Sequence, residues 1–488
     1  MSSSVDQLAS PRAGLPPGAP GSVRYGPNPV ENPALGKVFA ETPGCTPERL
    51  DDVLDDAARA FPGWAATPLA ERREWLHSCH RALLGAVDPM AELLTREQGK
   101  PLKHARAEVR LAADWFARTA ELGLTQERLV DETDARIDLE RVPHGVVAAI
   151  APSNYPVLLA VCKIAPALLA GNTVVLKPSP DTPLSSLMMG RILGDVLPAG
   201  TFAVVDGDVE LGARLTVHPA VRLVSFTGSV GAGRAIARQA AADLKRVVLE
   251  LGGNDPAVVL PGTDVLSVAP DLFAAAMTNS GQFCAAVKRV YAPRATYRRL
   301  AEALAEKART AIVGDGLDPA TEYGPLVSRA QLHHVAGLVD DAVAAGADVL
   351  AGGGPLDGPG HFYPPTVVTD LPPGSRLEEE EQFGPVIPVI PYDDVDQVFA
   401  QVNASTYGLG CSLWGDEERA RELAGRPQCG TVWINTHGAL RHDVPFGGHR
   451  HSGIGVEYGA WGLNEYTQLK VHHSALRLRP RQADRETS

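Results

Sequence analysis

The sequence predicts an α/β protein: a parallel, doubly wound sheet early in the chain and a second α/β unit behind it. Short apolar runs alternate with helical patterns from Gly145 onward, and the alternation restarts after Gly252-Gly253. The chain has 488 residues, long enough for more than one domain.

The elements follow in order. From Thr46, the residues Leu50, Val53, Leu54, Ala57, Ala58 and Phe61 keep helical spacing, with Thr46 as N-cap and Pro47 as first helical residue. Helical patterns continue to about Leu122. Residues 130–142 are polar with β-branched alternation and predict a projecting hairpin. Val146–Ile150 is a short apolar run, read as a buried strand; Pro156–Ala170 is an apolar helix that Gly171-Asn172 stops. Residues 173–176 are strand-like, 183–196 helical, and 202–205, 221–226 and 247–249 are three more strands, with a helix at 232–244 between the last two. The second unit begins with a strand at 257–260, a helix near 270–277 and a strand at 288–292. Helices at about 297–312 and 329–345 follow. The tail from His473 is basic and polar and is expected to fray. No internal repeat is visible.

Composition narrows the function. A net charge of −13 argues against nucleic-acid and anionic-membrane partners. No apolar run is long enough to span a bilayer, and the Ser/Pro/Gly-rich start, residues 1–31, lacks a secretory pattern and reads as a disordered lead-in. Six cysteines without a CxxC pair argue against a disulfide framework or zinc site and for a reducing cytoplasm. His449 and His451 flank Arg450, but no metal is expected there.

Four motifs carry chemistry. Phe226-Thr-Gly-Ser-Val-Gly-Ala-Gly233 runs from a strand through a glycine-rich turn into a helix, an arrangement that aims backbone N–H groups at a phosphate. It lacks GxGxxG spacing, and a plain strand-to-helix turn is an equal reading. Asn279-Ser-Gly-Gln-Phe-Cys284 places a thiol after a polar loop, where a nucleophile rather than a packing Cys belongs. Glu250 ends an apolar strand; partial desolvation raises such a carboxylate and makes it a general base, unless it caps the next element or pairs with an Arg. Asn154, in Ala151-Pro-Ser-Asn-Tyr-Pro156 at the end of the first sheet strand, either donates to an oxyanion or caps the helix that Pro156 begins.

Together and in order, these motifs resemble the aldehyde dehydrogenase superfamily from about Asn32 to Val471. Matching pieces include Asn32-Pro33, Glu97-Gln-Gly-Lys-Pro101, Pro152-Ser-Asn-Tyr-Pro156, Ala170-Gly-Asn-Thr-Val-Val-Leu-Lys177, Leu249-Glu-Leu-Gly-Gly253 and Gly281-Gln-Phe-Cys284. Phe226-Thr-Gly-Ser229, Glu381-Gln-Phe-Gly-Pro385, Asn403 with Tyr407-Gly-Leu409, and Pro445-Phe-Gly-Gly448 with Ser452-Gly453 complete the set, and 34 residues separate Glu250 from Cys284. The resemblance implies a Rossmann-like dinucleotide-binding domain (32–123 and 142–252), a catalytic domain (253–463), and an oligomerisation hairpin and strand (124–141 and 464–475), with a tail at 476–488. It implies a homodimer or homotetramer acting on a small-molecule aldehyde.

The resemblance also assigns roles. Cys284 would be the nucleophile, Asn154 and the Cys284 N–H the oxyanion hole, Glu250 the base for the deacylating water, and Lys163 part of its proton route. Lys177, Gly228, Ser229 and Gly231 would hold the adenosine ribose and pyrophosphate, and Glu381 and Phe383 the nicotinamide end. Tyr155, Leu159, Cys162, Phe283 and Phe446 would line the substrate pocket. That lining is apolar and aromatic, which favours a neutral aliphatic or aromatic aldehyde; His437, Arg441 and His442 near the entrance read as solvated loop residues. The chain departs from the family at Ser153, where a Trp is common, at Pro180, where a Glu is common, and at Val230-Gly231, where Thr-Glu is common. Pro180 bears on the cofactor, NAD (favoured) or NADP. A CoA-acylating semialdehyde dehydrogenase is the alternative, which Glu250 disfavours; a non-catalytic relative would be expected to lack Cys284, Glu250 or Asn154.

Overall fold

The computed structural model describes residues 27–124 and 126–475. Its centre is a six-stranded sheet ordered Gly453–Ile454, Arg246–Glu250, Val221–Thr227, Val146–Ile150, Thr173–Lys177, Phe202–Val204. Its five longer strands are parallel, and they run outward from Val146–Ile150 in both directions, so the strand order reverses beside that strand. A doubly wound sheet opens a crevice at such a point, outside the carboxyl ends of the strands. One face packs against a core that includes Trp64, Phe116, Leu168 and Met189. The other packs against Leu50, Leu54, Leu211 and Ile236, from helices Pro47–Ala66, Val209–Val217 and Val230–Ala241. Pro156–Ala170 is buried along nearly its whole length.

The second sheet has seven strands, ordered Asp348–Ala351, Thr366–Thr369, Val386–Tyr392, Arg289–Pro293, Pro256–Val259, Gly410–Trp414, Thr431–Ile434. It too carries a core on each face. Within it, only Asp348–Ala351 runs antiparallel to its neighbour. The two sheets are stitched together at Gly453–Ile454, which lies in the second stretch of chain yet pairs with the edge of the first sheet, Gly453 opposite Glu250.

Between Val146 and Ala344 the sequence reading places most elements within a few residues of their observed ends, whereas the elements from 348 to 434, five of the seven strands of the second sheet among them, went unread. Thr46 caps Pro47–Ala66 by accepting from the Arg49 N–H, and Gly171 ends Pro156–Ala170 in the left-handed conformation at φ +96°. The helix Val209–Val217 went unread because its apolar face is short; Asp208 caps it through the Leu211 N–H. Two terminal readings are corrected. Asn28–Asn32, partly inside the expected lead-in, is a strand paired with Lys37–Thr42, because the backbone finds an antiparallel partner there. The strand Thr467–Ala475 likewise continues through His473, paired residue for residue with Ala135–Pro143. The rest of the lead-in and of the tail lies outside the described residues. The expected hairpin is Glu127–Asp131 with Ala135–Pro143. Among the described residues no helix is long and apolar enough to cross a membrane.

Candidate active site

Three of the proposed catalytic groups come from three loops that meet above the first sheet. Glu250 ends the strand Arg246–Glu250, Asn154 follows the strand Val146–Ile150, and Cys284 follows a sharply bent segment in which Asn279, Ser280 and Gly281 all have positive φ. That bend brings the loop against residues 383–385: a Cβ on Gly281 would stand 2.1 Å from the Gly384 carbonyl. Gln282 fixes the bend by accepting from the Val327 N–H at 2.9 Å and donating to Asn279 and Pro325 carbonyls. Cys284 is half-buried; burial, Glu381 and Glu250 push its thiol up to about 12, and Lys288 opposes them.

Asn154 does not cap the helix. The N–H groups of Val157 and Leu158 go instead to the Glu108 carboxylate, which pairs with the buried ammonium of Lys100. Lys100 in turn donates to the Asn154 carbonyl at 2.6 Å and lies 3.9 Å over the Tyr155 ring. The Asn154 side-chain amide donates to the Gln282 carbonyl at 3.1 Å, and Asn279 donates to both the Asn154 and Gln282 carbonyls. That contact fixes which way the amide faces and leaves its second N–H uncommitted, while Oδ1 is buried without a partner among the described residues.

Glu250 neither caps an element nor meets an Arg. Both its oxygens are buried without a hydrogen-bond partner among the described residues. Burial first, and then the charge of Glu457, raise its carboxyl well above the usual range, with Lys163 opposing. Lys163 projects from the middle of the buried helix, donates to the Thr227 hydroxyl at 2.6 Å and pairs with Glu457. The Ser452-Gly453 motif holds the strand end: Ser452 accepts from the Leu251 N–H through its carbonyl and donates to the Gly252 carbonyl at 2.8 Å.

The cofactor candidates surround the crevice. Ser229 caps the helix Val230–Ala241 by accepting from the Ala232 N–H, its own O–H left over, and the space beside Gly231 is open. Gly228 donates to the Glu250 carbonyl, which ties the glycine turn to the base. Lys177 ends its strand with the Pro178 carbonyl, at 3.2 Å, as its one hydrogen-bond partner among the described residues; burial lowers its ammonium to about 8 against the opposing charges of Asp206, Asp208 and Asp181. Pro180 accepts from Asn28, and Ser153 is half-buried. Glu381 accepts from the Gly253 N–H, an approach that requires glycine at 252, where a Cβ would stand 2.2 Å from its Oε2. Burial raises Glu381 to about 7. Phe383 holds φ +45°. A free helix N-terminus, an uncommitted hydroxyl and a lightly partnered Lys at the strand-order reversal suit a dinucleotide's phosphates and ribose.

Around Cys284, Tyr155 meets Phe283 edge-on with centroids 5.6 Å apart. Tyr458 stacks on Phe446 at 6.0 Å and meets Trp115 at 4.9 Å. Leu159 is buried, and Cys162 lies under this wall, its thiol near the Tyr458 hydroxyl. His437 departs from its reading as a solvated residue. Its side chain is fully buried against the Trp433 ring, with Nδ1 at 2.9 Å from the Ser412 hydroxyl, and burial lowers its imidazole to about 3. Arg441 is exposed and pairs with Asp443, and His442 lies edge-on to Trp115. The sequence reading gave no role to Trp115 or Tyr458, nor to Lys100, Glu108, Lys288 and Glu457. The last lies four residues after a motif that was read, Ser452-Gly453, and could have been sought there.

Residues 24–472 match the model of the aldehyde dehydrogenase family. The chain belongs to the aldehyde dehydrogenase family. It is 36% identical over 448 residues to the NADP(+) succinate-semialdehyde dehydrogenase of Escherichia coli K12, covering 90% of this chain and 93% of that one. It is 37% identical over 448 residues to betaine aldehyde dehydrogenase 1 of Rhizobium meliloti, covering 90% and 92%. The structure of a Bacillus cereus aldehyde dehydrogenase in complex with NAD+ superposes at a TM-score of 0.90 with 32% identity, over 92% of this chain and 94% of the other.

Proposed function

We propose that this aldehyde dehydrogenase converts an aldehyde to a carboxylic acid through a thiohemiacetal and then a thioester on Cys284, using NAD or NADP. The observation that supports the hydrolytic reading is Glu250: a buried carboxylate with a raised pKa and no hydrogen-bond partner among the described residues suits taking a proton from water. The Cys284 thiolate, its proton already lost, adds to the aldehyde carbon, and the oxyanion that forms is held by the Asn154 and Cys284 N–H groups. A bound oxidised nicotinamide supplies the hydride acceptor, and Ser229, Lys177 and the crevice position it. Glu250 then deprotonates the water that opens the thioester, and Lys163, beside Glu457 and Thr227, lies on its proton route. Aldehyde-dependent reduction of the cofactor without CoA is the expected result. A strict requirement for CoA would favour the acylating alternative.

Removing one oxyanion donor lowers rate by about 10²–10³. Asn154→Ala is therefore expected to lower kcat by roughly that factor, with cofactor affinity and melting temperature little changed. A change confined to melting temperature would make Asn154 a structural residue only.

The substrate is a neutral aliphatic or aromatic aldehyde. The wall of Tyr155, Phe283, Phe446, Trp115 and Tyr458 presents aromatic surface around Cys284. The relatives named above act, by their names, on an anionic and a cationic aldehyde, so kinship does not choose the charge. NAD is the favoured cofactor with weak discrimination against NADP: Pro180 offers no carboxylate to repel a 2′-phosphate, although Asp206 and Asp208 act on Lys177 nearby. Pro180→Glu is expected to shift the kcat/KM ratio towards NAD. Wild type that already excludes NADP, with no change in the variant, would remove Pro180 from the account. The exposed strand Thr467–Ala475, with Leu469 and Val471 on its surface, is where a homodimer or homotetramer would form, and six free thiols suit the cytoplasm.

A further inference from the structure

We infer that Lys288 is the residue that positions Cys284, acting through the Phe283–Cys284 peptide and through its charge on the sulfur. This rests on the reading of Cys284 as nucleophile. Lys288 is 1% exposed, and its ammonium donates to the Gly281 carbonyl at 3.0 Å and to the Phe283 carbonyl at 2.7 Å. It therefore grips the loop at two carbonyls within three residues of the thiol. Its backbone is tied as firmly: the Lys288 N–H donates to the Asp255 carbonyl, and the Lys288 carbonyl accepts from Gln382 at 2.9 Å.

The Phe283 carbonyl belongs to the same peptide unit as the Cys284 N–H. In a planar trans peptide the two point in opposite directions. An ammonium that fixes and polarises that carbonyl also fixes the direction of the Cys284 N–H and makes it a stronger donor to an oxyanion. The same ammonium lies 5.0 Å over the ring of Phe383. One side chain thus connects the nucleophile loop to the segment that carries Glu381 and Phe383.

The charge matters because Cys284 faces anions. Glu381, Glu250 and Asp255 act on its sulfur from three other elements, and Tyr155 and Tyr458 lie near it; Lys288 is the cation that opposes them. No carboxylate among the described residues forms an ion pair with Lys288, so its field is not cancelled at contact. His437, on the loop across from it, is held neutral by burial and by Lys288.

The test compares Lys288→Gln, Lys288→Met and Lys288→Arg with wild type. The rate of Cys284 alkylation by iodoacetamide is followed by peptide mass spectrometry from neutral to alkaline pH, alongside kcat and KM. In the neutral variants the alkylation profile is expected to move upward by about one pH unit, which is about a tenfold lower thiolate fraction below the midpoint. Their kcat is expected to fall more than KM changes, and Arg is expected to keep the wild-type profile. An unmoved profile in whichever neutral variant folds, or an upward shift in the Arg variant equal to theirs, would overturn the role of Lys288. If alkylating Cys284 leaves wild-type turnover intact, the nucleophile reading fails instead, and the two failures are told apart by that wild-type control.

Discussion

Cys284→Ala is expected to abolish aldehyde oxidation, by roughly 10⁴-fold or more, while the protein stays folded and binds cofactor. The other five thiols are poor substitutes. Cys45, Cys79, Cys162 and Cys411 are buried, and the Cys429 thiol is spent on the Thr431 carbonyl. Cys284 is half-exposed, as Cys429 is, but it stands on the loop that meets Asn154 and the Glu250 carboxylate, which has no partner among the described residues. Its side chain makes no hydrogen bond that the fold depends on, so the loss of one sulfur should move stability by no more than about 1 kcal/mol. The checks are steady-state turnover, thermal melting and cofactor titration on the same preparation. Substantial turnover by the folded variant would remove the thioester from the mechanism.

Glu250→Gln is expected to separate the two halves of the reaction. Acylation and hydride loss need the thiol and the oxyanion donors; only deacylation needs the base. A burst of about one equivalent of reduced cofactor should therefore appear, followed by a steady rate lower by about 10²–10⁴. The pH dependence has a definite sign. Because burial and Glu457 raise the Glu250 carboxyl, it is protonated, and idle as a base, over a wider range on the acid side than an ordinary Glu. Wild-type deacylation should rise with pH through that raised value, and the Gln variant should lose this rise. Stopped-flow measurement of cofactor reduction checks both. Equal loss of burst and steady state would instead assign Glu250 to thiol activation or to structure.

The first sheet and its helices were legible in the chain because their periodicity is strong, whereas five strands of the second sheet, between 348 and 434, were not read. Val146–Ile150 is short and apolar, Pro156–Ala170 is apolar but for Lys163, and they end at a turn and a glycine that leave little choice of boundary. Chain ends were less legible: a polar strand such as Thr467–Ala475 is specified by its partner 135–143, not by its own apolar pattern. The candidate catalytic groups could be found because each sits in a motif at a strand end. Their supports could not. Lys100, Glu108 and Lys288 are charged residues that sequence alone would place on the surface; they are buried because carbonyls, N–H groups and each other satisfy them. Glu108 also decided between two open readings of Asn154, since it occupies the helix N–H groups that Asn154 would have capped.

The most direct measurement is peptide mass spectrometry of Glu250→Gln quenched after mixing with cofactor and a neutral aromatic aldehyde. The account predicts an acyl group, two hydrogens lighter than the aldehyde adduct, on the peptide that carries Cys284, in about the same amount as the reduced cofactor. Reduced cofactor without any acyl group on Cys284, or with the acyl group on another residue, would contradict it.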